Sequence, residues 1–264
     1  MKLKNMSWPQ VREAAPATVA VLPLGAIEQH GPHLAVSTDA GIVSKIADAV
    51  EERLAASVVL CPTLVFGSSH HHLSFPGTMS LRADLYTQVL LDLVRSLIAG
   101  GFRRVVLFNG HGGNVTPAKQ ALALASHEFD GFPSPNIALA TYWELAGKAF
   151  AGAPPMESPA LSHSCEYETS LMLHLFPERV RMEAARRAAR PAPNGYIPWE
   201  DDEPPRGVTM IKKTEFLSSN GSSGEPHKGT PGKGERLFRA AVEAAVEFLA
   251  SFQKWPLMED LRVE

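Results

Sequence analysis

One glutamate, two histidines and one aspartate crowd the stretch "AIEQHGPHLAVSTDA" (26–40), between apolar segments. Glu28 and His30 stand two residues apart, so on extended backbone their side chains point one way and Gln29 the other. Gly31-Pro32 bends the chain, letting Asp39 return to the same pocket from the start of the next helix. This set suits Zn²⁺, Mn²⁺ or Fe²⁺, and an aspartate can bridge two ions. The plainer alternative is a capped helix, with Asp39 as N-cap and His30 hydrogen-bonded within the loop. In "FNGHGGN" (108–114) the glycines around His111 let backbone approach whatever the imidazole touches, while Asn109 and Asn114 can hold the loop. A phosphate cradle is the rival there, but no Lys-Ser/Thr pair or GxGxxG accompanies it. In "SHSCEYETSLML" (162–173), Glu168 shares the inward face of a helix with Leu171, Met172 and Leu175. An acid there is costly unless paired or metal-bound, although the helix dipole also favours a first-turn acid. Glu166 lies off that face and reads as solvated or capping. His163, just before the helix, can pass a proton. Glu28, Asp39 and Glu168 together demand cations, and two divalent ions with His30 and His111 as neutral donors meet that demand.

The elements that must position these groups alternate. "TVAVLPLG" (18–25), "SVVLCPTL" (57–64), "RRVVLFNG" (103–110) and "NIALATYW" (136–143) read as strands. Between and after them, Val43, Ile46, Val50 and Leu54, then Leu85, Val89, Leu93 and Leu97, recur at helical spacing. Ser37, Thr38 and Asp39 are candidate caps for the first of these helices. Further helices are expected from Thr116-Pro117, over 165–176 and over about 234–252. This order predicts an α/β fold with a mostly parallel sheet, which gathers ligands at the carboxyl ends of its strands. Residues 184–233, rich in Pro, Gly and charge, form an irregular region expected at the site rim or a subunit contact. "RRAAR" (186–190) reads as a solvated helix face. One domain is expected over 1–264.

Hydrophobic residues make up 45% and charged residues 20%, which excludes a disordered chain. The net charge of -3 offers no footprint for nucleic acid or anionic lipid. No apolar run approaches the ~20 residues of a membrane span, and the N-terminus lacks a signal-peptide pattern. Cys61 and Cys165 are too few for a disulfide framework and read as buried small hydrophobes; a cytoplasmic setting is expected. Of the three consecutive histidines, His70 and His71 read as surface residues. His33 is spaced wrongly from His30 to share its ion and reads as support behind the ligands or a subunit contact. Tyr142, Trp143 and Trp199 pack in the core or shape a lid.

The stretches "LPLGAIEQHGPHLAVSTD", "FPGTMSL" (75–81), "NGHGGN", "HSCEYETSLML" and "NGSSGEPHKGTPGKG" together resemble the creatininase (creatinine amidohydrolase) family over nearly the whole chain. The resemblance implies a three-layer α/β/α metal-dependent amidohydrolase, usually a hexamer, cleaving non-peptide or cyclic C–N bonds of a small amide or formamide. It places metal ligands at Glu28, His30, Asp39 (bridging) and His111. Creatininase itself carries a Tyr and a second-metal Glu where this chain has Gly112 and Gly113, and Glu168 is the candidate replacement ligand. His72 matches a rim position and, with Gly112, Gly113 and Asn114, is a candidate substrate contact. The expected mechanism is attack by metal-activated water, with His163 protonating the leaving nitrogen and Glu168 beside it. The "NGHGGN" form is similar to branches that include a formamide deformylase and the mycofactocin precursor peptidase. A catalytically silent, metal-binding oligomer is the alternative from another class.

Overall fold

Strand β1 (Val19–Leu24) is buried along its whole length, and its side chains divide by parity. Val19 and Val21 join one apolar cluster, while Ala20, Leu22 and Leu24 join another. The same division runs along β3 (Arg104–Asn109), where Val106 and Phe108 face the first cluster and Val105 and Leu107 the second. Such doubly buried strands need a helical layer on each side. The computed structural model, which describes residues 1–262 except 132, 148–149, 151–155, 159, 193–207 and 209, shows that arrangement. Helix α1 (Trp8–Ala14) precedes the sheet. Helix α2 (Thr38–Arg53) covers the first face with Ile42, Val43 and Ile46. Helices α3 (Ala83–Ala99) and α4 (Val115–Glu128) cover the second with Tyr86, Leu90, Ala118 and Ala121. A short α5 (Tyr142–Leu145), then α6 (Glu166–Leu175) and α7 (Pro231–Phe252), complete the first layer.

With β2 (Val58–Leu60) and β4 (Asn136–Thr141), the sheet runs β2-β1-β3-β4, all parallel. Val19 is paired to both Val58 and Arg104. After β1 the chain adds β2 on one side and then β3 on the other, so a switch point falls between the carboxyl ends of β1 and β3. The three-layer α/β/α expectation holds. Strand β2 is shorter than 57–64: Pro62 interrupts it, and the chain touches β1 again only at the Leu24–Leu64 bridge. "RRAAR" is not helical, and Trp199 lies outside the described residues. No helix among the described residues is long and apolar enough to cross a membrane.

Candidate metal centre

All five expected ligands come from turns at the carboxyl edge of the sheet or from helix starts. Glu28 and His30 follow β1, held by Glu28 N–H donating to Val36 O and by Gln29 N–H donating to Thr78 Oγ1. Asp39 sits in the first turn of α2 and is not its cap; Ser37 holds that position without a side-chain bond. His111 follows β3, its loop fixed by Asn109, which accepts from His111 N–H and donates to His111 O. Glu168 lies in the first turn of α6. Ser164, with φ of 55°, turns its N–H onto Glu168 Oε2 and its hydroxyl onto His30 O.

Exposure is 0% for Glu28 and His30, 3% for Asp39, 4% for His111 and 7% for Glu168, so water cannot neutralise this cluster. His30 Nε2 lies 3.1 Å from Asp39 Oδ1, 3.6 Å from Glu168 Oε2 and 4.0 Å from Glu28 Oε1. His111 Nδ1 is 2.9 Å from Asp39 Oδ2, and its Nε2 is 3.4 Å from Glu28 Oε2. Glu28, His30 and Asp39 offer ligand atoms within 4.8 Å of one another, as do His30, His163 and Glu168, and Glu28, His71 and His111. Both oxygens of Glu28 and Oδ2 of Asp39 have no hydrogen-bond partner; the imidazole nitrogens are close but misaligned for donation. Buried carboxylate oxygens aimed at a shared space and bonded to nothing fit cation ligands. The tautomers fit as well, as assigned from partners. His30 Nδ1 faces Glu28 O at 3.2 Å and must donate to it, which leaves a lone pair on Nε2 toward the carboxylates. His111 Nε2 faces Ser68 O at 3.2 Å, leaving Nδ1 as the free donor atom toward Asp39.

The same crowding shifts acidities. Burial pushes Glu28 up to about 7 and Glu168 up to about 8. Against the cost of burial, the Asp39 carboxylate holds His30 up at about 10, and Glu28 and Asp39 hold His111 at about 9. Asp39, despite burial, lies far below the usual carboxylate range because both imidazoles face it. Burial drives His163 well down, His72 to about 2 and His71 to about 4, so these three are neutral at pH 7.

A cavity of about 270 Å³ opens onto this cluster, lined by Glu28, Asp39, His111, His163 and Glu168, with Trp143 and Gly112 among its other walls. His72 and Gly113 line it too. Asn114 does not. Its side chain is fully buried beneath the loop, accepting from Ser68 N–H and donating to Gly25 O, so its role is to hold the loop rather than to meet substrate. His71 is half-buried and lines the cavity, against the surface expectation, because residues 70–72 form a 3-10 turn that fans their side chains; His70 alone is exposed. Glu166 is fully buried rather than solvated, paired with Lys233 Nζ at 2.6 Å and accepting from the N–H groups of Glu157 and Ser158. His33 is buried within the chain and bonded to Thr169 Oγ1 at 2.9 Å, beside Glu168 in sequence. Tyr142 packs in the core. Cys61 and Cys165 are buried, their thiols pushed up to about 12 by burial.

Gln29 was missed. It is buried beside the site rather than turned away, with Nε2 2.8 Å from His72 Nδ1 and 3.0 Å from His163 Nε2. Thr214 and Gly221, from the described part of the irregular region, also reach this corner. No local pattern signals them, since their partners are far apart in sequence.

A buried carboxylate–imidazole cluster at the switch point of a parallel α/β/α sandwich defines this as an enzyme-like site of the open-sheet class. The chain belongs to the creatinine amidohydrolase (creatininase) family, whose profile matches residues 4–249, and it is a hydrolase of that family. It is 32% identical over 245 residues to the mycofactocin precursor peptide peptidase of Mycobacterium tuberculosis, covering 89% of this chain and 86% of that one. It is 32% identical over 198 residues to the creatinine amidohydrolase of Pseudomonas putida, covering 68% and 73% respectively. Among solved structures, a creatininase mutant of Zn–Zn type superposes with a TM-score of 0.80 at 25% identity, over 96% of this chain and 98% of that one.

Proposed function

We propose that this chain is a metal-dependent amidohydrolase that opens a non-peptide or cyclic amide or formamide C–N bond with water. The carrying observation is the set of three buried, partnerless carboxylate oxygens on Glu28 and Asp39. Glu28, Asp39 and His111 would hold one divalent ion, and His30, Asp39 and Glu168 a second, with Asp39 shared between them. Zn²⁺, Mn²⁺ and Fe²⁺ all suit these donors. Ions bound there supply the Lewis acidity that makes water a nucleophile at neutral pH and polarises a carbonyl. The chain supplies the rest. Trp143, Leu161 and the bare Gly112 bound a small cavity that admits a compact acyl group. His163, 21% exposed, fronts that cavity with Nδ1 3.4 Å from Glu28 Oε1. As the C–N bond breaks, one proton of the added water passes to the leaving nitrogen, and the neutral His163 fronts that group as a hydrogen-bond donor through Nδ1.

A peptidase of the mycofactocin-precursor type is the second reading, favoured by the length of the match to the mycobacterial relative and by the side-chain-free rim at Gly112. A panel of lactams, formamides and peptides, assayed with Zn²⁺, Mn²⁺ or Fe²⁺ beside metal analysis, separates the two. Turnover with close to two ions per chain is expected. Glu28→Ala should lose more than the ~10–100-fold that removing a partner of a ligand costs. One tightly held ion with no turnover on any substrate would overturn the enzyme reading in favour of a metal-binding oligomer.

A further inference from the structure

Gln29 Oε1 accepts from Gly31 N–H at 2.9 Å, and its Nε2 lies 2.9 Å from Gly221 O. A backbone donor on one side and a carbonyl on the other fix which end of the amide is which. Nε2 has two hydrogens and no lone pair to offer: one goes to Gly221 O, and the other is left for His72 Nδ1 at 2.8 Å or His163 Nε2 at 3.0 Å. A ring N–H turned toward that nitrogen would find no acceptor on it, so His163 Nε2 stays bare and takes the remaining amide hydrogen. Thr214 Oγ1, 2.8 Å from His72 Nδ1, can complete the same pattern by donating its hydroxyl. A neutral imidazole with one nitrogen bare carries its hydrogen on the other. Those other nitrogens, His163 Nδ1 and His72 Nε2, lie 3.4 and 3.6 Å from Glu28 Oε1.

We infer that Gln29 is a positioning residue, locking stacked His72 and His163 into opposite tautomers so that both N–H groups face the reacting space beside Glu28. The rings stack at 4.2 Å with 28° between their planes, which holds the two donors side by side. Neither makes a hydrogen bond to Glu28 Oε1, so both remain available to substrate. Glu28, His72 and His163 also offer ligand atoms close enough to hold an ion. The tautomers remove that option, because the two nitrogens nearest Glu28 carry hydrogens instead of lone pairs. Gly221 is part of the device. Its φ is 85°, and a Cβ there would lie 2.1 Å from Gln29 Oε1, so only glycine lets its carbonyl cap the amide.

The inference deepens the reading of His163 as the donor that fronts the leaving nitrogen, yet it is tested without turnover. Nitrogen NMR on the Zn²⁺-loaded, histidine-labelled full chain reports which ring nitrogen is protonated. His163 is expected with its hydrogen on Nδ1, opposite to the form favoured in water, and His72 with its hydrogen on Nε2. Gln29→Glu puts an acceptor where the donor was and should move the His163 hydrogen to Nε2. Gly221→Ala should displace the amide and blur the preference. A His163 hydrogen on Nε2 in the unaltered protein overturns the inference, whatever the variants do; so does metal bound to His163. On any substrate the panel yields, Gln29→Met should lower kcat about 10–100-fold with little change in KM. If turnover is absent but the tautomers are as described, the positioning stands and only the catalytic reading falls.

Discussion

Gly112 and Gly113 are adjacent, both line the cavity, and the structure assigns them opposite tolerance for a side chain. A Cβ at Gly113 would meet Ser68 O at 2.2 Å, His111 Nε2 at 2.4 Å and His71 Cε1 at 3.0 Å, whereas one at Gly112 meets nothing within 4 Å. Two of the three obstacles are a backbone carbonyl and a ring held by that carbonyl, so neither can swing aside. Overpacking of this kind costs about 1–3 kcal/mol, and these unyielding neighbours put Gly113→Ala near the upper figure. Gly112→Ala should be neutral or stabilising by about 0.4–1 kcal/mol, since alanine restricts the unfolded chain. In a domain of this size each kcal/mol moves Tm by about 2–4 °C, so the variants should differ by at least several degrees. The clash also pushes on a proposed ligand. Metal at about 1,000 times Kd stabilises by roughly 4.1 kcal/mol; if displacing His111 weakens binding about 100-fold, roughly 2.7 kcal/mol of that increment disappears. Thermal unfolding of both variants with chelator and with excess Zn²⁺ measures the two effects separately. Equal melting of Gly112→Ala and Gly113→Ala, with equal gain from Zn²⁺, would refute both the steric and the ligand argument.

Stability of the metal-free protein should fall between pH 7 and 9. Glu168 held up to about 8, His111 to about 9 and His30 to about 10 bind more protons folded than unfolded across that window. His72 and His71, pushed down to about 2 and 4, are neutral folded and mostly neutral unfolded there, so they oppose the fall only slightly and only near pH 7. Urea unfolding at several pH values with chelator checks this, and a flat or rising profile counts against the cluster. Zn²⁺ binding should release protons, measured by calorimetry in buffers of different ionisation enthalpy. Lys233→Met leaves the fully buried Glu166 carboxylate with backbone donors alone, an expected loss of about 3 kcal/mol by denaturant titration. Lys233→Met with Glu166→Gln together should recover part of it.

What could be read in advance was whatever local periodicity encodes. Glu28 and His30 share a pocket because two residues is the period of extended chain, and Glu168 declared itself as an acid on the inward face set by Leu171 and Met172. The strands carried their parity openly in β1 and β3. Losses came where a partner lies far along the chain. Glu166 looks solvated until Lys233, 67 positions on, is placed against it. Gln29 looks turned away until Gly221, 192 positions on, accepts from it. His71 was misread because a 3-10 turn fans successive side chains, whereas a strand alternates them. The start of α7 was set too late because "TPGKG" reads as loop. Thr230 accepts from Lys233 N–H and Pro231 suits the first turn, and those signals outweigh the glycines.

The site's charge explains why so many histidines gather around so few acids. Three buried carboxylates carry up to three negative charges, and the imidazoles divide by what each one faces. His30 and His111 turn their free nitrogens toward carboxylates, so they are either ligands or, without metal, proton holders. His72 and His163 turn their bare nitrogens toward an amide that can only donate, so they stay neutral and keep their hydrogens toward the cavity. The two pairs stand only 4.3 Å apart at the His30–His163 contact. In the proposed reading, cation binding and hydrogen-bond donation to the substrate would thus be separated by the direction each ring is made to face rather than by distance. The amide of Gln29, sitting between a proposed ligand on either side in sequence, would then be what keeps the second pair from becoming more of the first.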